Sequence, residues 1–236
     1  MEHGDSLHAQ VLDRWGMAIV EGQYAPGSRV ALGDAVTGVD ASRTVAREAT
    51  RVLEALGMVT VRRRLGAVVE PADHWNAFDP RVIAWRLRSK DLAAQIHWLA
   101  QLRSAVEPMA ASLAASNSSP ADWAELTRAS IELVAHSRQA DGPEYLAADS
   151  AFHRTLLRAS GNPMFAALGR SVEAVLRGRT AGELMPAVAV QSAVRLHVDL
   201  AAAVAAGDAS AAEAAARAIV QEADDAARAA LAHSPS

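Results

Sequence analysis

The sequence predicts a mainly α-helical chain in two parts: N-terminal helices ending in a short β-hairpin, then a longer antiparallel bundle of helices alone. Three observations carry this. Apolar residues recur at helical spacing through most of the chain. The period changes to β-prone runs only at residues 58–61 and 67–69. Beyond Asp79 the helical pattern is cut by turn signals but not by a strand-like run.

Taken in order, residues 6–21 read as a first helix, with Val11, Trp15, Ile19 and Val20 near helical spacing, Gly22 past its end and a turn at Ala25-Pro26-Gly27. Residues 32–38 offer a weak short helix. Asp40-Ala41-Ser42 then supplies a capping residue for a strong helix over 43–56, closed by Gly57. The two β-prone runs flank Arg62-Arg63-Arg64-Leu65-Gly66, a hairpin with a basic tip. Helix, short helix, capped helix and basic hairpin together make a winged helix-turn-helix, assigned to residues 1–72. Pro71 and the polar stretch 73–76 suggest a linker over 73–80. Residues 81–236 form the bundle. Its breaks fall at Asn117-Ser118-Ser119-Pro120, Ala140-Asp141-Gly142-Pro143, Gly161-Asn162-Pro163, Met185-Pro186 and Ala206-Gly207-Asp208, giving about six or seven helices with short connections.

Composition narrows the chemistry. With 236 residues, 51% apolar and 21% charged, the chain can bury two modest cores. The absence of cysteine excludes disulfides, thiolate metal sites and cysteine nucleophiles. No apolar run is long enough to cross a bilayer and the first residues are acidic, which reads as a cytoplasmic protein. The net charge of −4 argues against indiscriminate nucleic-acid binding, but charge is unevenly placed. Between Arg43 and Arg64 lie six arginines against Glu48 and Glu54.

That cluster has the arrangement a DNA-reading helix needs. Ser42, Arg43 and Thr44 put a hydroxyl cap, an arginine and a second hydroxyl in the first turn, with Arg47 and Arg51 one and two turns on. Arginine pairs with guanine edges in the major groove, hydroxyls hold phosphate, and the helix dipole favours phosphate at that end. Arg62, Arg63 and Arg64 could follow the adjacent backbone, with Gly66 allowing the tight wing turn. The alternative is a solvated helix face laced to Glu48. Tyr24-Ala25-Pro26-Gly27, the run from Ser42 to Ala49, Leu53-Glu54-Ala55-Leu56-Gly57 and Gly66-Ala67-Val68-Val69 resemble the GntR family of bacterial repressors. Within that pattern the second helix is eroded, with Gly33 where members often carry a polar contact residue.

A second constellation lies in the helical region. Asp149 and His153 are four apart, on one helix face, and His197 follows forty-four residues later. Together they could bind one metal ion; a buried histidine donating to a carboxylate is the plainer reading. Arg103-Ser104-Ala105-Val106-Glu107-Pro108, the Asp149/His153 pair with Ser160-Gly161-Asn162-Pro163, and His197 with Ala206-Gly207-Asp208 resemble the FadR-type (FCD) effector domain of the same family. That resemblance implies a divalent metal on Asp149, His153 and His197 plus a final histidine. Here the final position, twenty-two residues beyond His197, is Ile219, and Glu222 is the acid one turn on. Three protein ligands completed by a chelating small molecule would suit zinc, nickel or manganese; alternatively the three residues hydrogen-bond an effector without metal.

Trp75-Asn76 through Trp85 resemble the sugar-acid-responsive branch of that family, in which an arginine matching Arg103 holds the effector carboxylate and an Arg-Thr pair matches Arg179-Thr180. A salt bridge from Arg103 to Glu107 is the structural alternative. The resulting expectation is a non-enzymatic, homodimeric repressor. It would bind operator DNA and be released by a small carboxylate such as galactonate or a related sugar acid. Competing expectations are a metal-dependent hydrolase using Asp149, His153 and His197, a regulator responding to another organic acid, and a helical interaction module without an effector.

Overall fold

A computed structural model describes residues 7–30, 43–182 and 184–233. The expected short helix at 32–38 and the cap at Ser42 lie outside the described residues. The chain divides into two compact units, residues 1–90 and 91–236.

In the first unit, α1 (Leu7–Val20) and α2 (Arg43–Ala55) pack on a small antiparallel sheet of β1 (Arg29–Val30), β2 (Val59–Arg62) and β3 (Gly66–Val69), in the order β1-β3-β2. On α2, Ala46, Ala49, Thr50 and Leu53 are buried at i, i+3, i+4 and i+7, which leaves the charged face outward. Gly57 ends the helix at φ +71°, and a Cβ there would also meet the His74 carbonyl, so the position calls for glycine twice over. The hairpin pairs Arg62 with Gly66 across a tip at residues 63–65. Arg64 at φ 67° and Gly66 at φ 81° are both left-handed, the first an uncommon state for a residue with a side chain.

The segment expected to be a linker, residues 73–80, packs on this unit. Trp75 Nε1 donates to the Glu70 carbonyl at 3.0 Å and the Asn76 N–H to the Leu56 carbonyl at 2.8 Å. Asp79 caps α3 (Pro80–Leu87), with Pro80 in its first turn. Residues 81–87, which the sequence groups with the bundle, fall in the first unit because Val82 and Trp85 join its core. The Trp85 indole donates to Asp13 at 2.8 Å, and Arg88 pairs with the same carboxylate at 2.8 Å. Those donors hold the Asp13 pKa below its ordinary value.

The second unit contains, among the described residues, α4 (Leu92–Asn117), α5 (Pro120–Ala135), α6 (Pro143–Ala159), α7 (Pro163–Ala167), α8 (Gly169–Ala181), α9 (Gln191–Ala206) and α10 (Ala209–His233). Each expected break is a real one, and Pro120, Pro143 and Pro163 open the helices that follow. A further break, at Leu168, has no proline or glycine to announce it except Gly169 beginning α8. Helix α4 packs along α10, and α6 packs against α4, α5 and α8. Alanines at 111, 114, 129, 151, 201, 212 and 216 line the core and let these helices approach closely around Phe152, Leu156 and Leu200.

A small residue sets the docking of α3. A Cβ on Gly16 would overlap the Trp85 indole ring, which its bond to Asp13 holds in place. Gly16→Ala is therefore expected to destabilise the first unit by about 1–3 kcal/mol through overpacking. Urea unfolding of the full chain measures it; an unchanged midpoint would show that the ring moves freely.

Candidate functional site

The first unit presents a basic surface on α2 and the hairpin. Arg43 opens α2, and Thr44, Arg47 and Arg51 follow with exposed side chains. Arg51 is paired with Glu48 at 2.6 Å, so part of the solvated-face alternative is realised at that residue. Arg62, Arg63 and Arg64 are exposed around the hairpin tip, and Gly66 makes its turn. The amide of Val61 donates to Glu54 at 2.9 Å, tying the wing to α2. Sequence reading missed Arg29, exposed on β1, whose side chain lies beside Gly66. A two-residue strand has no period to detect.

The second unit brings Arg103, Asp149, His153, Arg179 and His197 to one cavity of about 40 Å³. Each is more than nine-tenths buried. Helix α6 supplies Tyr145, Asp149 and His153 at successive four-residue steps, α4 supplies Arg103, α8 Arg179, α9 His197 and α10 Glu222. Met185, Pro186, Ala189 and Val190, from the segment between α8 and α9, also line it. Thr180 does not line the cavity; its hydroxyl donates to the Leu176 carbonyl at 3.2 Å within its own helix. Ile219 contributes only apolar surface, where the family pattern places a histidine.

The polar groups form a chain. Arg103 Nε donates to Glu107 Oε1 at 2.5 Å and its Nη2 to Oε2 at 3.2 Å. His153 Nδ1 lies 3.0 Å from Glu107 Oε2 without the alignment of a hydrogen bond, so this contact is mainly electrostatic. His153 Nε2 is 3.3 Å from Asp149 Oδ1 and 3.3 Å from Arg103 Nη2. Asp149 Oδ1 is also 3.4 Å from His197 Nε2. Burial would raise both carboxyls, but Arg103 and then His153 hold Glu107 at about 2, and the two imidazoles hold Asp149 well below the carboxylate range. Burial lowers His153, yet the adjacent carboxylates raise it to about 9.

His197 is the informative member. Its Nδ1 is 2.8 Å from the Ala193 carbonyl, which can only accept, so the proton sits on Nδ1. Nε2 is then the ring nitrogen left facing a carboxylate oxygen, buried without a hydrogen-bond partner. A cation shared between that nitrogen and the carboxylate, a proton or a metal, makes the contact favourable. The ligand atoms of Asp149, His153 and His197 lie within 4.8 Å of one another. The second ring nitrogen of His197 is bonded to a carbonyl oxygen, as in most metal-ligating histidines, and that of His153 lies 3.0 Å from a Glu107 oxygen. The donor set therefore fits a divalent metal. Glu222 lines the same cavity outside that triad, with its pKa raised by burial.

With this geometry in place, the matches to known proteins are specific. Residues 7–69 match the bacterial regulatory proteins of the gntR family, and residues 99–222 match the FCD domain. The chain belongs to the gntR family. It is similar to the galactonate operon transcriptional repressor of Escherichia coli (strain K12), 30% identical over 163 residues, which cover 69% of this chain and 70% of that protein. It is likewise similar to the uncharacterized HTH-type transcriptional regulator YieP of the same organism, 30% identical over 174 residues, covering 71% of this chain and 74% of that one. Listeria monocytogenes Lar shares the fold, with a TM-score of 0.60 at 17% identity over 97% of this chain and 99% of that one. This gntR regulator is a DNA-binding transcriptional regulator with an FCD effector domain, and it is not an enzyme. The family excludes the hydrolase alternative. No described helix is long and apolar enough to cross a membrane.

The ion pair of Arg103 with Glu107 is a structural part of the bundle. Arg103→Met leaves Glu107 buried without its main counter-charge, and is expected to destabilise the second unit by about 3–5 kcal/mol. Equilibrium denaturation tests this, and a loss below about 1 kcal/mol would contradict a tight buried pair.

Proposed function

We propose that this regulator represses a carbohydrate-acid catabolic operon as a cytoplasmic homodimer. It leaves its operator when a small carboxylate, galactonate or a related sugar acid, binds in the helical unit. The observation that carries the reading is the convergence of a chelating triad and two arginines on one buried cavity within an FCD domain, in a chain whose other unit exposes arginines on α2 and a wing. The name of the Escherichia coli relative supports the choice of acid.

On DNA, the N-terminal part of α2, with Arg43, Thr44 and Arg47, enters the major groove together with the preceding Ser42, while Arg62, Arg63 and Arg64 follow the neighbouring phosphates. Two copies read two half-sites. A ligand shifts the operator equilibrium only by binding one arrangement of the protein more tightly than another. Asp149, His153 and His197 would hold a zinc, nickel or manganese ion, which when bound supplies a Lewis-acidic contact for a carboxylate or hydroxyl. The cavity has room for only a few waters, so a six-carbon acid enters only when the segment 184–190 shifts. That segment is held to the loop after α5 by backbone bonds of 2.9 Å from Ala140 to Ala187 and 2.7 Å from Ala189 to Ser137.

A gel shift with the DNA upstream of its own gene tests the reading. The wild type is expected to bind specifically and to be released by galactonate or a related acid; absence of a specific shift would sink it. Arg47→Ala is expected to weaken operator binding about 10- to 100-fold and to relax base preference. Arg63→Ala should weaken all sequences alike and reduce the salt slope by about 1.

For the metal, thermal melts with Zn²⁺, Ni²⁺ or Mn²⁺ are expected to show stabilisation of about 3 kcal/mol at a hundredfold excess over Kd. Asp149→Asn should abolish that response. Equal melting with and without each ion, after treatment with a chelator, would leave the triad as a hydrogen-bonding site alone.

A further inference from the structure

Two arginines face the cavity in different states. Arg103 is committed: two of its nitrogens bond Glu107, and Nη2 also reaches His153 at 3.3 Å. Arg179, in the last turn of α8, is just as deeply buried at 7% exposure. Its Nε is sealed from solvent with no hydrogen-bond partner, and no carboxylate among the described residues forms an ion pair with it. Burial pushes its pKa down, and the nearby positive charge of Arg103 adds to the push. Asp149 and Glu222 attract it through space, but neither stands in ion-pair contact with it. Asp149 is taken up by two imidazoles, and Glu222 is only half-buried. A guanidinium carried into a low-dielectric site without a carboxylate in contact costs stability unless an anion arrives there.

We propose that Arg179, and not Arg103, anchors the carboxylate of the effector, with Glu107 holding Arg103 off as part of the scaffold. The inference rests on the sensor reading of the helical unit. Its planar fork matches a carboxylate bidentately, and the cavity wall beside it offers the Tyr145 hydroxyl and the Asp149/His153/His197 cluster for the rest of the ligand. The ligand is accordingly an acid whose carboxylate lies at the α8 end and whose hydroxyls extend toward α6 and α9. This departs from the family pattern, in which the arginine at the position of Arg103 holds the carboxylate.

The two roles separate by stability. An arginine that serves only the ligand is dispensable to the fold, whereas one that serves the scaffold is not. Isothermal titration of the full chain with galactonate and gluconate, and with the uncharged galactitol and sorbitol, supplies the test, run once with EDTA and once with Zn²⁺. The wild type should bind an acid and neither alditol. Arg179→Met should weaken that acid about 10- to 100-fold in both buffers, the range of a charge-assisted pair, yet melt no lower than the wild type without ligand. Arg179→Lys, which keeps the charge and loses the fork, should fall between them.

Wild-type affinity in Arg179→Met would overturn the assignment, and so would a ligand-free melting temperature several degrees lower, because Arg179 would then be structural. A wild type that binds none of the acids in either buffer removes the sugar-acid sensor reading itself, a result distinct from either failure of the Arg179 role.

Discussion

The buried run Arg103–Glu107–His153–Asp149–His197 is the constraint on which the helical unit depends. Five ionisable side chains, each less than nine per cent exposed, come from three helices. Each would be unfavourable alone, and the carboxylates are ionised only because the arginine and histidines stand beside them. Such a run tolerates little displacement, because moving one helix strands a charge on another. The alanine-lined contacts among α4, α6, α9 and α10 meet that demand. Small side chains bring backbones close and leave few rotamers to repack, so the polar run is held by a stiff frame.

The DNA-reading unit rests on different physics. It buries an apolar core of Val11, Trp15, Leu53, Met58 and Trp85, and puts its charge outside. Directional bonds join Asp13 to both Trp85 and Arg88, which fastens α3 beside α1. The connection beyond the wing is consequently ordered as far as α3. The chain passes from one compact unit to the other between Lys90 and Asp91.

Much of this was legible in the sequence where periodicity or punctuation marks it. Helix α2, the hairpin and the proline-opened helices have strong local signals, and the Asp149/His153 spacing places two ligands on one face without any tertiary knowledge. What was not legible depends on partner choice. Strand β1 is two residues long, and α3 looks like a bundle helix until Gly16 is seen to accept Trp85. The same holds at the site. Sequence places Arg103, Arg179 and Thr180 in the neighbourhood, but only packing decides their partners. It gives Arg103 to Glu107, turns Thr180 back on its own helix and leaves the Arg179 Nε without a hydrogen-bond partner.

Ile219 bears on the meaning of the triad. A closed structural metal site takes four protein donors, whereas a site that must accept a ligand keeps a position open. Here the fourth place in the family pattern is occupied by a buried aliphatic side chain, and the acid one turn on, Glu222, lies on the cavity wall outside the triad. In the proposed reading, the protein's own donors therefore stop at three, and an arriving acid completes what they begin. Metal and effector would then each raise the affinity for the other by the same factor, because linkage between two ligands on one protein is reciprocal. A triad that served only to stabilise the fold would gain nothing from such an open side. In that reading the Nε2 of His197, buried beside a carboxylate oxygen with no hydrogen-bond partner, is where the cation would be held.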